Sequence, residues 1–482
     1  MNYTLITSVV IYLLGTLAIG VWAGTRVKNT RDFAVAGRSL PLIMVVTTTF
    51  ATWFGAETVM GIPARFMEGG LSSIVEDPFG AGFCLIIVGM FFAARLYKLN
   101  LLTIGDYYRQ RYGTGIEIFC SAAIILSYLG WVAAQITALG LVFTVLTNGT
   151  MSESVGMVVG TLAVLIYVVA GGFLAVAITD FIQMIVLVIG LSIIAFYSAG
   201  LAGGADQVFA LADRNNLWQF LPPPKFHDII FFLAAAITMM LGSIPQQDVF
   251  QRVMSAKNAP TARLGAIIGG ASYIVFAFIP MFIVGAALLV LGDAGVAMAK
   301  NDYQRLLPTF VMTKMPLIMQ IIFFGALLSA IKSTSSATLL APSTSFVENI
   351  LKHLRPGMTD KQQLLSVRLS IIAFAAIVLA YAIAMKGTPI YDLVSSAYQV
   401  TLVAAFVPLI MGMYWERATT QGAILSIAGG LITWLIFFPQ ISTFGEHFPG
   451  QLAGLIAAFI GMFAGSLGPQ FLQNKKELLP PK

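Results

Sequence analysis

The most polar stretch within the membrane-length apolar runs of this chain is Leu328-Ser329-Ala330-Ile331-Lys332-Ser333-Thr334-Ser335-Ser336-Ala337-Thr338. It lies inside a run that begins near Leu317. A charged side chain at the centre of a bilayer costs at least about 2.5–3.5 kcal/mol, so such charges usually face a protein interior or a water-filled cavity. The stretch therefore indicates an ion or substrate pathway.

The composition predicts an all-α polytopic membrane protein around this stretch. The 482 residues are 58% hydrophobic and 10% charged, with a mean hydropathy of +0.88, whereas soluble domains carry about 25% charged residues. Runs of about 20 apolar residues, long enough to span a bilayer, occur thirteen times. They are centred on residues 3–24, 40–62, 77–97, 116–143, 153–170, 173–199, 228–248, 264–292, 317–346, 367–385, 391–415, 420–438 and 451–470.

Basic residues are divided unevenly between the two sets of alternate loops. Of the 27 lysines and arginines, 19 fall in one set, 7 in the other, and Lys332 lies within a span. Because cytoplasmic loops are enriched in basic residues, we expect a multi-pass inner (cell) membrane protein with its N-terminus outside and its C-terminus in the cytoplasm. The net charge of +6 is thus explained by topology, and no nucleic-acid partner is expected.

The chain carries no pattern typical of an enzyme or a metalloprotein. His227, His353 and His447 lie in loops without a partner at metal-ligand spacing, and there is no phosphate-binding loop or nucleophile elbow. Cys84 and Cys120 lie in or at the end of apolar runs and give no disulfide framework. We predict no enzymatic activity, no organic cofactor and no obligate protein partner. The expected partners are the lipid bilayer and a small-molecule substrate.

Two of the apolar runs are interrupted at membrane depth. The second contains Gly55, Glu57 and Gly61, and the seventh contains Gly242-Ser243-Ile244-Pro245. Irregular backbone is tolerated in a membrane only where it lines a cavity. A pair of interrupted helices at corresponding positions predicts an inverted-repeat secondary transporter with its site near the midplane.

The polar stretch presents two different faces at 100° per residue. Ala330, Ser333, Thr334 and Ala337 share one face, and their hydroxyl and carbonyl oxygens suit a dehydrated alkali cation. The alternative is that the hydroxyls bond to their own helix. Lys332 and Ser336 share another face, where Lys332 either snorkels to the interface or provides a fixed charge beside an ion pathway.

Glu57 is the leading candidate for a substrate contact. It lies in the interrupted second run, far from an easy route to the interface. We expect it to face a cavity and to bind a substrate amine or hydroxyl, or to carry a proton. Aromatic candidates for the walls of a substrate pocket are Trp53, Trp131, Tyr167 and Tyr398, with simple packing as the alternative.

Two motifs carry a resemblance to a known family. Tyr167-Val168-Val169-Ala170-Gly171-Gly172-Phe173-Leu174-Ala175, followed by Thr179-Asp180 and Gln183, resembles the first signature of the sodium/solute symporter family, which includes proline, pantothenate, galactose, sialic acid and choline transporters. Gly412-Met413, Arg417 and Gly422-Ala423 resemble its second signature, with a departure at Ala428.

The resemblance implies a five-plus-five inverted repeat of the leucine-transporter type. It implies an N-terminal extra helix and linker (1–39), a first repeat (40–200), an external loop (201–227), a second repeat (228–415), two C-terminal helices (416–470) and a cytoplasmic tail (471–482). The implied sodium site uses the carbonyls of Ala51, Phe54 and Ala330 and the hydroxyls of Ser333 and Thr334. A second ion site, found in some members, would use Asp180, Ser333 and Ser336, and Ala337 lacks the hydroxyl expected there.

Lys332 departs from the family pattern and leaves the coupling ion open. It could pair with Asp180 and replace a second sodium ion, or weaken the main site by repulsion. We therefore expect sodium-coupled uptake of a small organic solute by alternating access. The alternative is a proton-coupled or sodium-independent transporter that uses Lys332, Asp180 or Glu57, and a transporter-derived sensor or channel is a weaker option.

The expected solute pocket contains five side chains. They are Trp53, Glu57, Thr58, Gln135 and Tyr398. An acidic residue at position 57 favours a cationic or hydroxylated solute. The runs Trp53-Phe54-Gly55 and Ile244-Pro245-Gln246 resemble the choline branch of the family, while an amino-acid-like solute remains the other option.

Overall fold

The computed structural model describes residues 3–27, 29–438 and 444–472, and in these ranges the secondary structure is helical apart from turns and an isolated bridge between Leu40 and Ala256. The predicted tail at 471–482 lies mostly outside the described residues. Thirteen main helical segments follow one another in the described part of the chain, and nine helices there, or eleven with the two bent pairs, are long and apolar enough to cross a membrane. The thirteen segments are α1 (Tyr3–Gly24), α2 (Leu42–Trp53 and Glu57–Gly69), α3 (Leu71–Lys98), α4 (Thr114–Leu146), α5 and α6 (the two parts of Glu153–Leu201), α7 (Phe226–Gly242 and Gln247–Ser255), α8 (Ala259–Leu291), α9 (Leu317–Leu354), α10 (Asp360–Ala384), α11 (Ile390–Tyr414), α12 (Thr420–Ile436) and α13 (Gly450–Leu467).

Shorter helices connect these segments. Thr30–Val35 precedes α2, Ile104–Tyr112 precedes α4, and Ala205–Arg214 follows α6. Asp293–Asp302 and Leu306–Lys314 lie between α8 and α9. We call the end of the bundle that carries these last two helices the outer end, following the orientation that the sequence predicts.

Both predicted interruptions are present. The first half of α2 ends at Trp53, Phe54 leaves the helical region with φ −88° and ψ 74°, and the second half is bent by 57°. The two halves of α7 meet at 45° across the residues between Gly242 and Gln247. The glycine and proline pattern of the sequence therefore located both breaks correctly.

Gly172 separates α5 from α6 within one long helical element. Its backbone has φ 55° and ψ −156°, a conformation that favours glycine. A Cβ atom at this position would lie 2.5 Å from the ring of Phe33, so the break also needs the space that glycine leaves. The sequence predicted two separate spans here, and the position of the break agrees.

The helix α9 occupies the interior of the bundle. From Phe323 to Ser345 its residues are buried, including Lys332 at 5% exposure. It packs against α4, α6 and the first half of α2. The polar stretch is therefore enclosed by protein, as the cost of placing it in lipid required.

Candidate substrate and ion sites

The break in α2 frees backbone groups in the middle of the membrane. A helix that ends leaves the carbonyl groups of its last turn without intrahelical partners. Phe54 N bonds to the Phe50 carbonyl at 2.9 Å, and the Trp53 carbonyl accepts a hydrogen bond from Thr58 Oγ1 at 3.1 Å. The Ala51 carbonyl faces Thr334 Oγ1 at 3.5 Å. The break thus turns a carbonyl toward α9.

Glu57 lies directly beyond this break and is held by two residues of α4. Its Oε1 accepts a hydrogen bond from Trp131 Nε1 at 3.0 Å, and its Oε2 accepts one from Gln135 Nε2 at 2.6 Å. Gln135 Oε1 in turn accepts from Ala56 N at 2.9 Å. Trp131 and Gln135 are one turn apart, so α4 presents both donors on the same face.

The carboxylate of Glu57 has no basic partner. Its residue is 2% exposed, and in the described part of the chain no lysine, arginine or histidine forms an ion pair with it. Hydrogen bonds from Trp131 and Gln135 reduce the cost of burying the charge. Full compensation requires a positive charge from outside the chain or a proton.

Three buried aromatic rings surround the same point. The ring centroids of Trp53, Trp131 and Tyr398 lie 5.4, 5.6 and 6.0 Å from one another. Trp53 Nε1 and the Tyr398 hydroxyl lack hydrogen-bond partners. Aromatic faces attract organic cations, and unpaired buried donors are groups that a ligand can satisfy. The rings touch one another here, so a ligand must separate them to enter.

Thr58 points away from the aromatic cluster. Besides bonding to the Trp53 carbonyl, its hydroxyl lies 3.0 Å from the hydroxyl of Tyr273, which donates to Asp77 Oδ1 at 2.6 Å. Of the five predicted substrate residues, the structure therefore brings together Trp53, Glu57, Gln135 and Tyr398, while Thr58 belongs to a neighbouring polar group. The sequence reasoning did not include Tyr273, because an isolated tyrosine in an apolar run looks like packing.

Two of the five predicted sodium ligands, the Ala51 carbonyl and the Thr334 hydroxyl, face each other between α2 and α9. Thr334 faces the Ala51 carbonyl, and a Cβ atom on Gly55, next to Phe54, would lie 2.7 Å from Thr334 Oγ1. Ala330 and Ser333 lie on the same side of α9, one turn and one residue before Thr334. Carbonyl and hydroxyl oxygens in this arrangement suit an alkali cation.

Asp180 joins α9 to α2. Ser333 Oγ donates to Asp180 Oδ1 and Thr48 Oγ1 donates to Asp180 Oδ2, each at 2.5 Å. Asp180 is fully buried on α6. The structure thus places one predicted member of the second ion site beside Ser333.

Lys332 and Ser336 form no hydrogen bond or ion pair with Asp180 in the described residues, although Lys332 lies close enough to Asp180 for their charges to attract. Lys332 Nζ donates to Thr16 Oγ1 of α1 at 2.7 Å and lies 4.3 Å from the centre of the Tyr167 ring. Ser336 Oγ donates to the Lys332 carbonyl at 2.6 Å, the intrahelical bond that sequence reasoning held as the alternative. Lys332 points in a different direction from Ser333, because successive residues of a helix are rotated by 100° about the helix axis. Its side chain therefore faces α1.

Arg252 is a buried cation rather than the loop residue that the sequence predicted. It lies in the second half of α7 at 2% exposure. Its guanidinium donates to the Asp248 carbonyl at 2.8 Å and to Thr52 Oγ1. The predicted span ended at 248 because the residues after it are polar, but a half-helix enclosed by protein does not need an apolar surface.

A comparison with protein families decides the classification. The family model described as "Sodium:solute symporter family" matches residues 33–430. The chain belongs to the sodium:solute symporter family. The resemblance found in the two signatures is confirmed, and the matched proteins of this family are transporters rather than enzymes.

Relatives of this symporter carry different solutes. It is 25% identical over 510 residues to the high affinity choline transporter 1 of Homo sapiens, covering 99% of this chain and 87% of the relative. It is also 25% identical over 484 residues to the sodium/pantothenate symporter of Haemophilus influenzae, covering 96% of each. Among solved structures, a substrate-bound, outward-open Na⁺-coupled sialic acid symporter matches with a TM-score of 0.83 and 20% identity over 97% of this chain and 98% of that one. The fold predicted from the sequence is confirmed.

The symporter has a cavity of about 600 Å³ at its outer end, which we call the vestibule. Its walls include Arg65, Thr137, Tyr391 and Asp392, and the short helices after α8 cover one side. Glu153 also lines the vestibule, and its carboxylate forms ion pairs with Arg305 at 3.4 Å and with Lys386 at 4.0 Å. The vestibule reaches Gly61, about one helical turn beyond Glu57.

The opposite end of the bundle is tied together by polar contacts. Glu117 of α4 is fully buried and accepts hydrogen bonds from Asn349 Nδ2 at 2.9 Å and His353 Nε2 at 2.8 Å, both on α9. Ile104 N donates to Gln247 Oε1 at 2.9 Å, which joins the first repeat to the second half of α7. These contacts join different segments at the end of the bundle opposite the vestibule.

Proposed function

We propose that this symporter imports a small organic cation of the quaternary-ammonium class together with sodium. The observation that carries the proposal is the Glu57 carboxylate, buried without a basic partner in the described residues and bordered by Trp53, Trp131 and Tyr398. Each cation–π contact is worth about 0.5–2 kcal/mol. A cationic solute supplies the missing positive charge and lies against the aromatic faces.

The charge of the pocket favours one kind of relative over the others. Pantothenate and sialic acid carry a carboxylate, whereas choline carries a permanent positive charge. An anionic solute beside Glu57 would meet like charge in a low-dielectric region, and like charges in such a place cost several kcal/mol. The choline transporters among the relatives therefore offer the better analogy for the solute.

Sodium is the proposed coupling ion, bound at Ala51, Phe54, Ala330, Ser333 and Thr334. Gly55 separates the two proposed sites, because a Cβ there would lie 2.6 Å from Glu57 Oε2 and 2.7 Å from Thr334 Oγ1. Sodium and a cationic solute would repel each other across this gap. The Glu57 carboxylate lies between them and reduces this repulsion, so that both cations can be bound together.

The proposed transport cycle is alternating access in an inner membrane, with the N-terminus outside and the C-terminus in the cytoplasm. An open vestibule at one end and closing contacts around Glu117 at the other support an outward-facing starting state. Solute and sodium enter from the vestibule. The contacts around Glu117 then break to release them inward.

Uptake by purified protein in liposomes tests the proposal. We expect radiolabelled choline to accumulate under an imposed sodium gradient and to be displaced by other quaternary ammonium compounds, but not by pantothenate or sialic acid. The double variant Ser333→Ala with Thr334→Ala should lose sodium-driven uptake, while Ser343→Ala, whose hydroxyl bonds within its own helix, should retain it. Accumulation driven by a proton gradient alone, or unchanged sodium dependence in the double variant, would contradict the proposal.

A further inference from the structure

A second group of buried carboxylates adjoins the proposed solute pocket, to which Tyr273 and Thr58 connect it. Glu76 and Asp77, in the first turns of α3, are 6% and 2% exposed. Ser395 Oγ of α11 donates to Glu76 Oε2 at 2.7 Å, and the Tyr273 hydroxyl of α8 donates to Asp77 Oδ1 at 2.6 Å. Three segments of the bundle therefore meet at these two acids.

Other carboxylates surround Glu76 and Asp77, and no basic side chain in the described residues pairs with them. Glu57 and Asp392 both lie close enough to add to the negative potential at Asp77 and Glu76. The one basic residue nearby, Arg65, is half exposed and pairs with Glu68 at 3.5 Å. In the described residues, neither Glu76 nor Asp77 forms an ion pair. Buried carboxylates in such a position require a cation or a proton.

Two oxygen atoms at this place have no hydrogen bond of normal geometry in the described part of the chain. Glu76 Oε1 is buried and has no partner. The hydroxyl of Tyr391, a residue 8% exposed, lies near both carboxylates and the Asp77 backbone without a hydrogen bond of normal geometry. Unpaired buried oxygens are uncommon. Together with the carboxylate charge they form a set of hard donors that suits a cation.

The location gives a cation access from the outer end. Tyr391 and Asp392 line the vestibule, and Glu76 lies directly behind them. No group of three or more histidine, cysteine, aspartate or glutamate side chains in the described part of the chain has the arrangement that would hold a metal ion. A divalent metal is therefore a poor fit, and a monovalent cation from the vestibule is the better occupant.

We propose that Glu76 Oε1 and the Tyr391 hydroxyl bind a second sodium ion beneath the vestibule, with Asp77 supplying further negative charge. This outer sodium site is separate from the Ser333 and Thr334 hydroxyls. It rests on the proposed sodium coupling but not on the identity of the solute. Sodium at this position neutralises the carboxylates along the route that a cationic solute takes toward Glu57.

Equilibrium binding of ²²Na⁺ to the purified protein, without solute and with potassium chloride holding the ionic strength constant, tests the site. We expect Glu76→Gln to weaken one class of binding by about tenfold or more, and Tyr391→Phe to weaken the same class to a smaller degree. Ser333→Ala with Thr334→Ala should remove a different class. Combining Glu76→Gln with these two changes should remove both classes.

Glu68→Gln is the matched control, because Glu68 also faces the vestibule but is exposed and paired with Arg65. It should leave the isotherm unchanged. Thermal unfolding identifies any variant that fails to fold, and Tyr391→Phe, which keeps the ring, then provides the test. A Glu76→Gln isotherm that superimposes on the wild type would overturn the inference, as would unchanged ²²Na⁺ binding with altered proton dependence of uptake. If the variants change ²²Na⁺ binding as expected but the wild-type protein does not transport choline, the result would count only against the proposed solute.

Discussion

Glu57 is the residue on which the proposed specificity depends. Trp131 and Gln135 hold its two oxygens at 3.0 and 2.6 Å, and Gln135 also bonds to the backbone of the break in α2. The carboxylate is thereby fixed in position before any solute arrives. Fixed charge of this kind costs little reorganisation on binding, so it contributes more to affinity than a mobile side chain would.

Replacing Glu57 by glutamine should separate charge recognition from shape recognition. Glutamine keeps the size and one acceptor but removes the negative charge. We expect Glu57→Gln to lower choline affinity by about tenfold to a hundredfold, since charged hydrogen-bonded contacts are worth roughly 1.5–3 kcal/mol. The affinity for 3,3-dimethyl-1-butanol, the neutral analogue of choline, should change little. Competition against radiolabelled choline measures both values.

The exposed acid Glu68 serves as the control for this variant, because it bears the same charge and pairs with Arg65 in the vestibule. Glu68→Gln should preserve the preference for choline over its neutral analogue. If Glu57→Gln discriminated between the two compounds as strongly as the wild type does, the carboxylate would not be what recognises the cation.

Gly55 lies between the proposed solute pocket and the proposed sodium site. A Cβ atom there would lie 2.6 Å from Glu57 Oε2, 2.7 Å from Thr334 Oγ1 and 2.9 Å from Gln135 Oε1. We expect Gly55→Ala to reduce the apparent affinities for sodium and for the solute together, each by about tenfold, because overpacking costs roughly 1–3 kcal/mol. Gly15→Ala, where the added methyl meets nothing within 4 Å, is the control. Uptake measured at varied sodium and solute concentrations gives both affinities. A loss of affinity for only one of the two ligands would argue against Gly55 as a common wall of the two proposed sites.

At the scale of elements, α1 is connected to α9. It packs along α5, α6 and α9, and Gly20 lies so close to the Tyr167 ring that a Cβ there would overlap it. Lys332 reaches out of α9 to Thr16 and to the same ring, and the Tyr12 and Ser329 hydroxyls share a hydrogen bond. Lys332 and Ser329 thus both contact the N-terminal helix α1.

A double-mutant cycle between Thr16 and Lys332 tests this contact. Thr16→Val leaves a buried ammonium without its acceptor and should destabilise the protein by about 1–3 kcal/mol. Lys332→Met removes the charge as well, and replacing a buried polar pair by apolar groups is often neutral. The double variant should therefore recover most of the loss. Thermal unfolding in detergent gives the coupling energy.

The matched control is Ser336→Ala, because that hydroxyl bonds only within α9 among the contacts observed. Sodium dependence of uptake in Lys332→Met should stay close to that of the wild type. A large rise in sodium affinity in Lys332→Met would instead support repulsion between Lys332 and the ion, which was the alternative expected from the sequence.

At the scale of the whole molecule, the two ends of the bundle differ. The outer end contains the vestibule, and at the inner end Glu117 joins α4 to Asn349 and His353 of α9. In the proposed cycle these inner contacts hold the outward-facing state. Their free energy therefore enters directly into the balance between the two states.

Glu117→Gln should shift this balance toward the inward-facing state. Loss of the charge weakens the bonds to His353 and Arg109, and a change of about 1.4 kcal/mol alters a two-state ratio tenfold. The substitution Thr388→Cys, at a partly exposed residue that lines the vestibule, reports the outward-facing population in intact cells through its labelling rate by an impermeant maleimide. We expect the rate to fall in Glu117→Gln. Both native cysteines, Cys84 and Cys120, are buried.

Glu348→Gln controls for loss of charge at the same end, because Glu348 pairs with Lys352 on its own helix and does not bridge two segments. It should leave the labelling rate unchanged. Labelling that requires permeabilised cells would show that the vestibule faces the cytoplasm and would reverse the predicted orientation. A higher labelling rate in Glu117→Gln would show that these contacts do not close the inner end.

Several features were predictable because they are local. Glycine and proline at membrane depth located the breaks in α2 and α7, and the period of the helix placed Ala330, Ser333 and Thr334 on one face. The signature resemblance predicted that Asp180 belongs with Ser333, and their hydroxyl–carboxylate contact agrees. These inferences need only backbone preferences, helical geometry or a family pattern.

Other features depend on contacts between segments far apart in the chain. Arg252 was expected in a loop, because its contact with Thr52 of α2, 200 residues away in the chain, cannot be read from its own segment. The hydrogen-bond partner of Lys332 could not be predicted from the sequence, because Thr16 lies 316 residues away in the chain. The joint position of Glu76, Tyr273 and Tyr391 likewise follows from the meeting of α3, α8 and α11.

The sequence by itself determined that this chain is a helical membrane transporter with two broken helices and a polar face on α9, because hydrophobic length, glycine and proline positions and helical periodicity are properties of single segments. Only the tertiary structure decided which polar groups meet. It left Lys332 without an ion pair to Asp180, placed Glu57 among Trp53, Trp131 and Tyr398, and brought Glu76 to Ser395 of α11. The physical reason is that the direction of a side chain follows from its own helix, whereas its partner follows from how the helices pack.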